Sequence, residues 1–534
     1  MGNTVPSMKQ TLLISCCLLT GMAGYAQPPS INGYHVYYGH LHNHTGASDG
    51  KDTAFHAYPY ARDSSKMDFF GLADHCWLLR PGEWDTIRMA ADAYNQDGVF
   101  VTFAGFEWSS PVYGHLTIIH TEKIAYYYRA ESDNFIDIVN WLNKNDGYAF
   151  MNHPGDEEGG SETFSHFNTV PSPRILGMEL WGKTEGFSRF YYNDGFYHDD
   201  NGKSFYDEVL LRGWRPGATG SEDNHSATWG KSNRRMAILA TALTRNDLLE
   251  AMKARRFYST EDKNLVLSFC IQGNEMGSEV AEGNDTFCIR TFDKENERFV
   301  RARLVCNGIV ADSIVCDTTF LEWTLVRETH CGEYYYVIVT QQDGEEAISS
   351  PVWIRGKTNH QPPLPISGSF APFYYQDDSA TLTIPVENGI TQMDIFYDSM
   401  KVKTDSVYPF DYRLKLRSIG KFPVNVTLFD SQCGSTGLLY DYVNVIKRPK
   451  EILQEEEQRV SFYPNPCSEV IFITGARDFY RIVITDMQGK IRWQAEKDFF
   501  LLQKIDVSSL EAGIYLLSIY TGGKTTNSLL VKSR

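Results

Sequence analysis

The histidines of this 534-residue chain are concentrated near its start, since 12 of the 14 lie at or before residue 225. The densest group is the segment His40-Leu-His-Asn-His-Thr-Gly-Ala-Ser-Asp-Gly50. In an extended segment, residues two apart face the same side, so His42 and His44 can bind one metal ion. Asp49 lies in a loop that can fold back and offer a carboxylate to the same cavity. The spacing favours a divalent metal site, with a surface histidine cluster as the alternative.

Further candidate ligands follow short apolar runs along the chain. His75, Glu107 and His153 each come after such a run, and this placement at strand ends is typical of a barrel active site. Glu107 lies between two aromatic residues, where a buried acid is costly unless it is paired or bound to metal. Nine donors are therefore candidates for binding more than one ion: His42, His44, Asp49, His75, Glu107, His115, His153, Asp223 and His225.

The elements that position these donors alternate between strand-like and helix-like segments over residues 27–262. The apolar run at 68–73 is typical of a strand, whereas 134–142 and 246–256 have the apolar spacing of helices. Alternating β and α elements predict an α/β domain built on a largely parallel sheet or barrel.

The chain changes after this domain to β-rich alternation without a long helical period. We predict one β-sandwich at 263–357 and a second, immunoglobulin-like β-sandwich at 361–447. The proline-rich stretch Gln361-Pro-Pro-Leu-Pro365 would be a stiff joint between them.

The start of the chain has the pattern of a secretory signal peptide at residues 1–26. A lysine precedes an apolar run at 12–19, and small residues precede Gln27. This run is too short to span a bilayer, and no transmembrane segment is expected in the mature chain. The lipobox-like segment Leu13-Ile-Ser-Cys16 leaves lipidation as an alternative.

The C-terminal residues 459–534 consist of short alternating strands and turns, which predict a small β-sandwich. Three segments carry a resemblance to the C-terminal sorting domain of type IX secretion cargo: Tyr463-Pro-Asn-Pro466, Asp486-Met-Gln-Gly-Lys490 and Leu510-Glu-Ala-Gly-Ile-Tyr515. The resemblance implies export through the outer membrane by the type IX secretion machinery, to give a secreted or cell-surface protein. An ordinary immunoglobulin-like terminal module is the alternative.

The order of the candidate ligands resembles the motifs of the polymerase and histidinol phosphatase (PHP) family. The matching segments are His42-Asn-His-Thr45 with Ser48-Asp-Gly50, Ala73-Asp-His75, Glu107, Gly114-His115, His153-Pro154 and Ser221-Glu-Asp-Asn-His225. The resemblance covers about residues 34–262 and implies a distorted (β/α)7 barrel with two or three metal ions. Segments 248–258 and 271–277 also resemble the branch that contains carbaryl hydrolase. Ala73, where threonine is usual, and the inserted Glu222 depart from the pattern.

The resemblance further implies how the donors divide among the ions. It assigns a first ion to His42, His44, Glu107 and Asp223, a second to Glu107, His115 and His153, and a third to Asp49, His75 and His225. His120 is the rival of His115. Asp74 would orient a ligand, and Asp223 would in addition accept the proton of the attacking water. Such mixed donors suit zinc, manganese or iron.

Composition and motifs together predict a secreted hydrolase that needs divalent metal ions. The net charge of −17 disfavours a nucleic-acid partner. The favoured activity is a phosphoesterase that attacks a small phosphorylated substrate with a metal-bridged hydroxide. One alternative is a carboxyl ester, carbamate or amide hydrolase with the same metals. Another is a non-catalytic surface protein whose β-sandwiches bind a glycan or a protein.

Overall fold

The computed structural model describes residues 28–111, 113–154, 171–181, 204–357, 374–384, 390–398, 400–407, 410–430, 433–447, 461–463, 465–474, 479–496, 503–521 and 524–533. The predicted signal peptide at 1–26 and the proline-rich stretch at 361–365 lie outside the described residues. All nine candidate metal ligands lie within them.

The first region alternates helices with strands, as its sequence predicts. Its helices are α1 (Ala54–Asp63), α2 (Glu83–Tyr94), α3 (Phe135–Lys144), α4 (Phe205–Leu211) and α5 (Arg245–Lys253). Its strands are β1 (Ser30–Ile31), β2 (Tyr34–His40), β3 (Phe69–Gly71), β4 (Asp74–His75), β5 (Val101–Phe103), β6 (Gly105–Ser110), β7 (Gly114–Ile119), β8 (Tyr148–Met151), β9 (Ile175–Trp181), β10 (Gly217–Gly220), β11 (Arg235–Ala240) and β12 (Phe257–Thr260). Among the described residues, none of the helices has the length and apolar character that crossing a membrane requires.

Two sheets organise this region. One has the order β12-β11-β2-β3-β5, and the other has the order β10-β9-β8-β7-β6-β4. The chain passes directly from β3 to β4 and from β5 to β6, so these strands link the two sheets. The sheets are mixed rather than largely parallel, because β7 runs antiparallel to both β6 and β8, and β11 runs antiparallel to β2.

Two of the helices were expected from their apolar spacing. Helix α3 begins after Asn134, whose side chain accepts a hydrogen bond from the backbone N–H of Asp137, and it buries Ile138 and Leu142. Helix α5 ends at Lys253 rather than at the expected residue 256. The reason is local, since the next turn contains Arg255 in the left-handed region with φ of 53°.

The second region is a β-sandwich that continues a sheet of the first. Its strands are β13 (Leu265–Ile271), β14 (Asn274–Glu275), β15 (Glu279–Ala281), β16 (Asn284–Asp293), β17 (Phe299–Cys306), β18 (Ile309–Thr318), β19 (Phe320–Glu328), β20 (Tyr334–Gln341), β21 (Glu346–Ser349) and β22 (Val352–Arg355). Strands β14-β13-β16-β19 form one layer. The other layer pairs β21 with β12, so a single sheet crosses residue 262.

The third region packs two sheets, β23-β29-β28-β25-β26 and β24-β27, around a buried apolar core. Its strands are β23 (Tyr374–Tyr375), β24 (Ser379–Ile384), β25 (Ile390–Tyr397), β26 (Met400–Asp405), β27 (Phe410–Lys415), β28 (Gly420–Asp430) and β29 (Gly434–Ile446). A disulfide between Cys331 and Cys433 links this region to the preceding β-sandwich.

The C-terminal region forms the small β-sandwich that its alternation predicts. Its strands are β30 (Ser461–Tyr463), β31 (Val470–Thr474), β32 (Phe479–Asp486), β33 (Ile491–Glu496), β34 (Gln503–Asp506), β35 (Gly513–Thr521) and β36 (Lys524–Lys532). The sheets β30-β31-β34 and β33-β32-β35-β36 enclose a core that includes Ile471, Ile484 and Leu517.

Candidate metal centre

The candidate ligands meet at one edge of the sheets of the first region. Six of them end or follow β2, β4, β8 and β10: His42, His44, His75, His153, Asp223 and His225. His115 lies near the start of β7, and because β7 runs antiparallel to its neighbours, this end reaches the same edge. Residues far apart in sequence are brought together here because strand ends converge.

The structure brings all nine candidates into four overlapping groups of potential ligand atoms. Within each group the ligand atoms lie within 4.8 Å of one another. The groups are His44, Asp49, His75 and His225; His42, His44 and Asp223; His42, Glu107 and His153; and His75, Glu107 and His115.

Glu107 on β6 is fully buried, with four histidines within 3.4 Å of its carboxylate oxygens and a fifth, His44, 3.9 Å from Oε2. Its Oε1 is 3.1 Å from His42 Nε2 and 3.2 Å from His115 Nδ1. The same oxygen is 3.4 Å from His153 Nε2, while Oε2 is 2.6 Å from His75 Nδ1. The two oxygens thus face different histidines, as a bridging carboxylate requires.

The deepest group joins His42, His44 and Asp223, all of which are buried. The Nε2 atoms of the two histidines are 3.1 Å apart. Asp223 Oδ1 is 2.9 Å from His44 Nε2 and 3.3 Å from His42 Nε2. Three potential ligand atoms therefore face one point.

A more exposed group lies at the mouth of the centre. Asp49 Oδ1 is 3.3 Å from His225 Nε2, and its Oδ2 is 3.5 Å from His75 Nε2. The ring of His225 stacks on that of His44, with centroids 4.0 Å apart. This group extends the buried donors toward solvent, since Asp49 is 44% exposed.

His115 on β7 and His120, which directly follows this strand, have different surroundings. His115 contacts Glu107 within the centre. His120 follows the opposite end of the strand, is about half exposed, and lies 3.6 Å from Asp146 Oδ2. The placement favours His115 over its rival.

Two buried residues of the centre were not expected from the sequence. Glu179 on β9 has Oε1 2.9 Å from His42 Nδ1, and its Oε2 accepts a 2.8 Å hydrogen bond from the backbone N–H of His153. Asn152 donates from Nδ2 to Glu107 Oε1 over 2.6 Å. Both residues therefore contact candidate ligands and help to fix their positions.

Asp74 lies beneath the loop that carries His44 and Asp49, and it is fully buried. Its Oδ1 accepts 2.7 Å hydrogen bonds from the backbone N–H of Thr45 and from the Ser48 hydroxyl. Its Oδ2 accepts a 2.9 Å hydrogen bond from the Thr45 hydroxyl. Asp74 thus positions the backbone of the loop that carries two candidate ligands, and its role in orienting a ligand stays a prediction.

Two of the candidate ligands have backbone angles that non-glycine residues rarely adopt. His153 has φ of 26° and Asp223 has φ of 47°. Such conformations cost free energy and persist where surrounding contacts impose them. Their presence at both residues is typical of a functional site.

Electrostatics keep the buried acids ionised. Burial alone would raise the pKa of Glu107, but the neighbouring histidines outweigh burial and hold that pKa well below its usual range. Burial likewise opposes ionisation of Asp223, yet His42 and His44 hold its pKa well below the ordinary value. Ionised carboxylates are the form that binds a cation.

The histidines divide into two classes. Burial lowers the pKa of His42 and of His75, but nearby carboxylates outweigh it, so that the pKa of His42 lies well above its usual value and that of His75 is about 10. Burial prevails at His44 and His115, whose pKa values are lowered. The lowered pair presents neutral imidazoles, which are ready to ligate metal.

The donor set fits divalent transition metals. Ligand atoms bound to one ion at about 2.0–2.2 Å lie roughly 3 Å apart. The separations of 2.9–3.3 Å among His42, His44 and Asp223 match this spacing. Glu107 shares one group with His75 and His115 and another with His42 and His153. Mixed histidine and carboxylate donors of this kind suit the metal ions that the sequence implies.

The C-terminal sandwich belongs to a recognised type. Residues 461–533 match the family described as secretion system C-terminal sorting domain. This confirms the prediction made for the C-terminal region, and the domain implies the type IX secretion machinery as a partner. The protein is therefore secreted or displayed at the cell surface.

Uncharacterized proteins of two Chlamydia species are similar to this chain. The protein of Chlamydia pneumoniae is 24% identical over 358 residues, and that of Chlamydia trachomatis is 23% identical over 371 residues. Each match covers 60% of this chain and 57% of the relative. The chain thus spans little more than half the length of these relatives.

One similar solved structure is a two-domain Bacteroides vulgatus protein containing a predicted PHP-like metal-dependent phosphoesterase. It is 15% identical and covers 60% of this chain and 97% of its own, with a TM-score of 0.35. Fibronectin(III)-like modules of Clostridium thermocellum CbhA are 13% identical and cover 36% of this chain and 99% of their own, with a TM-score of 0.15. At these TM-scores, neither a fold nor an activity is transferred to this chain.

Proposed function

We propose that this protein is a secreted phosphoesterase of the PHP type that depends on two or three divalent metal ions. The observation that carries the proposal is the contact of the buried Glu107 carboxylate with four histidines. A carboxylate in a structural ion pair is satisfied by one partner, whereas a carboxylate that bridges metal ions lies among the imidazoles that complete the coordination of those ions. The substrate class would be a small phosphorylated molecule outside the cell.

The proposal includes a distorted seven-stranded barrel for the first region. The direct passages from β3 to β4 and from β5 to β6 link the two sheets on one side. On the other side, β10 lies beside β11 and β12. These contacts support a closed arrangement with the candidate ligands at one end.

The ligand division that the family resemblance implies is part of the proposal. Asp49, His75 and His225 would hold one ion, and they share one group of neighbouring ligand atoms. His42, His44 and Asp223 share another, with Glu107 Oε1 3.1 Å from His42 Nε2. Glu107 also contacts His115 and His153, whose ring centroids are 5.0 Å apart, and these three would hold the remaining ion.

When bound, such ions would polarise a phosphoryl oxygen and lower the pKa of a water molecule. The side chains of the protein supply the geometry for this chemistry. Glu179 engages His42 at Nδ1 and leaves Nε2 directed at the centre. Contacts with His42 and His44 outweigh burial and hold the pKa of Asp223 well below its ordinary value, so Asp223 remains ionised. A carboxylate with so low a pKa suits a ligand role better than acceptance of a proton.

A second candidate function is hydrolysis of an aryl ester or carbamate by the same centre, and one side chain favours it. Trp77 is 48% exposed and lies beside His75, with ring centroids 6.3 Å apart. An exposed indole at the mouth of a site can stack on an aryl group.

The test is hydrolysis of three p-nitrophenyl substrates by the full secreted chain: the phosphate monoester, the bis-phosphate diester and the acetate. We expect cleavage of a phosphate ester that a chelator abolishes and that added manganese or zinc restores. Cleavage of the acetate alone would support the second candidate. Turnover of none of them after metal addition would contradict both.

His115 on β7 and His120 directly after it offer a matched pair of variants. His115→Ala is expected to lower the rate by more than about 100-fold, because even loss of a group that only supports a ligand costs 10–100-fold. His120→Ala is expected to keep the activity of the unaltered protein, since this side chain is exposed and contacts Asp146. Equal effects of the two substitutions would argue against the assignment of His115.

A further inference from the structure

Three carboxylates meet where the first region joins the β-sandwich, and none of them belongs to the candidate metal centre. Asp262 follows β12, Asp293 ends β16, and Glu297 precedes β17. Each offers an oxygen within 4.8 Å of the others. Asp262 and Asp293 are 5% and 4% exposed, so two of the charges are withdrawn from water. Like charges in such proximity are unfavourable unless something neutral or positive separates them.

Gln341, at the end of β20, lies against two of the carboxylates. It is 1% exposed, and its Nε2 lies 3.0 Å from both Asp262 Oδ2 and Glu297 Oε2. Its Oε1 is buried and has no hydrogen-bond partner among the described residues. Without a cation the N–H₂ group faces the carboxylates, whereas a bound cation would favour the opposite amide orientation, with Oε1 toward them. A buried amide oxygen would then face the cluster.

One of the two carboxylate oxygens of Asp293 is buried without a hydrogen-bond donor among the residues that the structure describes. Its Oδ1 accepts hydrogen bonds from the backbone N–H groups of Glu295 and Glu297, over 2.6 and 3.0 Å. Its Oδ2 is buried, and no N–H or O–H group in the described part of the chain donates to it. A buried carboxylate oxygen without a donor is costly unless a cation neutralises it.

We propose that Asp262, Asp293, Glu297 and Gln341 bind a calcium ion. All four side chains offer oxygen, which is the donor that hard cations prefer, and three of them are carboxylates. Calcium accepts six to eight oxygens in flexible geometry, whereas magnesium demands a near-ideal octahedron and keeps several waters. The secreted or surface location of the protein suits a site of the extracellular type, which binds calcium at about 10⁻⁴–10⁻³ M.

The ion would fasten three segments together. These are the end of β12, the turn between β16 and β17, and the end of β20. Without a cation, burial and the carboxylate of Asp262 raise the pKa of Glu297 to about 7, and burial raises that of Asp293. These shifts agree with an unfavourable cluster of charges that a cation relieves. The site is independent of the proposed hydrolytic function.

The test is thermal unfolding of the full secreted chain after chelation, with and without 10 mM CaCl₂, beside calorimetric titration with calcium. At about ten times the Kd, calcium is expected to raise the Tm by about 2–4 °C. Asp293→Asn and Glu297→Gln are expected to abolish this rise. Asp293→Asn retains an oxygen for the two backbone N–H groups, and Glu297 is exposed, so both variants are expected to fold.

Asp343→Asn is the matched control, because it removes a neighbouring charge from the turn after β20 that is not part of the cluster. It should keep the calcium response. In chelator, Asp293→Asn should unfold no lower than the unaltered protein, since one of the repelling charges is gone. A Tm that calcium leaves unchanged, or a response that survives in both cluster variants, would overturn the proposal.

Discussion

At the scale of single residues, the candidate centre depends on how Glu107 distributes its two oxygens. Oε1 faces three histidines and Oε2 faces His75, so the carboxylate is shared between two sides of the centre. Its burial excludes water that would compete for the same contacts. The neighbouring histidines hold the pKa of Glu107 well below its usual range, which favours the ionised form.

Glu179 is expected to control metal affinity through His42. Glu179→Gln replaces one carboxylate oxygen by an NH₂ group, which donates hydrogen bonds and does not accept them. The one remaining oxygen cannot accept from both His42 and the backbone N–H of His153. We expect metal affinity to fall by about 10–100-fold, as for other groups that orient a ligand. Equilibrium metal titration measures the loss, and Glu250→Gln on the exposed face of α5 is the control. Unchanged affinity would mean that Glu179 does not support the centre.

Metal binding is expected to release protons even at pH 8. With a pKa of about 10, His75 is protonated in the metal-free protein at that pH and must lose its proton to ligate. The same shift stabilises the metal-free fold below pH 6.5, and that stabilisation is lost as the pH rises through about 10. Calorimetry in buffers of different ionisation enthalpy should detect at least one proton released per chain. Release of none would contradict a ligand role for His75.

The sequence placed candidate ligands after apolar runs but missed two residues beside them. Glu179 lies within the apolar strand β9, so the argument that buried acids need a partner, applied to Glu107, would also have found it. Asn152 gives no such signal, because a neutral amide needs no charged partner. Its contact with Glu107 depends on the pairing of β7 and β8, which is not local in sequence.

At the scale of elements, the loop after β2 is fastened to β4. Asp74 accepts hydrogen bonds from Thr45 and Ser48, and the loop closes through a 2.6 Å hydrogen bond from the Gly46 N–H to the Asp52 carbonyl. The loop therefore holds His44 and Asp49 at a fixed separation before any ion binds. Such preorganisation lowers the entropy cost of binding.

Asp74→Asn should loosen this loop and weaken metal binding without unfolding the protein. The amide can accept from the Thr45 N–H, but it cannot accept all three of the hydrogen bonds that the carboxylate receives. We expect a loss of affinity of about 10–100-fold in metal titration. Asp52→Asn, in the exposed part of the same loop, should bind as the unaltered chain does. If the two substitutions behave alike, the support from β4 is not needed.

Local pattern was sufficient for the helices but not for strand pairing. Helix α3 follows from its apolar spacing and its asparagine cap, both of which lie within ten residues of sequence. The pairing of β12 with β21 depends on contacts between distant segments. The reversed direction of β7 is local by contrast, because β6 and β7 pair as a hairpin in which Ser110 lies opposite Gly114. The expectation of a largely parallel sheet overlooked this hairpin, which makes the sheet mixed.

At the scale of the whole molecule, the regions are joined by two kinds of connection. A sheet runs from the first region into the β-sandwich through β12 and β21. A disulfide between Cys331 and Cys433 joins that sandwich to the third region over a separation of 102 residues. The cysteine count alone left this pairing open, because many pairings are compatible with the eight of the ten cysteines that follow the predicted signal peptide.

The disulfide is expected to stabilise the chain, as an oxidising location permits. Cys433→Ser should lower the free energy of unfolding of the linked regions by about 2–5 kcal/mol, because the unfolded chain regains the entropy of a long loop. Denaturant unfolding measures this change, and non-reducing peptide mapping detects the bond. Cys316→Ser, at a free half-buried thiol, is the control. Equal stability of Cys433→Ser and the unaltered protein would show that the bond does not constrain the fold.

The central claim is that Glu107 and its neighbours hold divalent metal ions. It is tested most directly by the metal content of the secreted protein, measured by mass spectrometry after equilibration with manganese or zinc, for the unaltered chain and for Glu107→Gln. We expect two or more ions per chain in the unaltered protein and fewer in the variant. Absence of stoichiometric metal from the unaltered protein, or equal metal content in the two, would contradict the account.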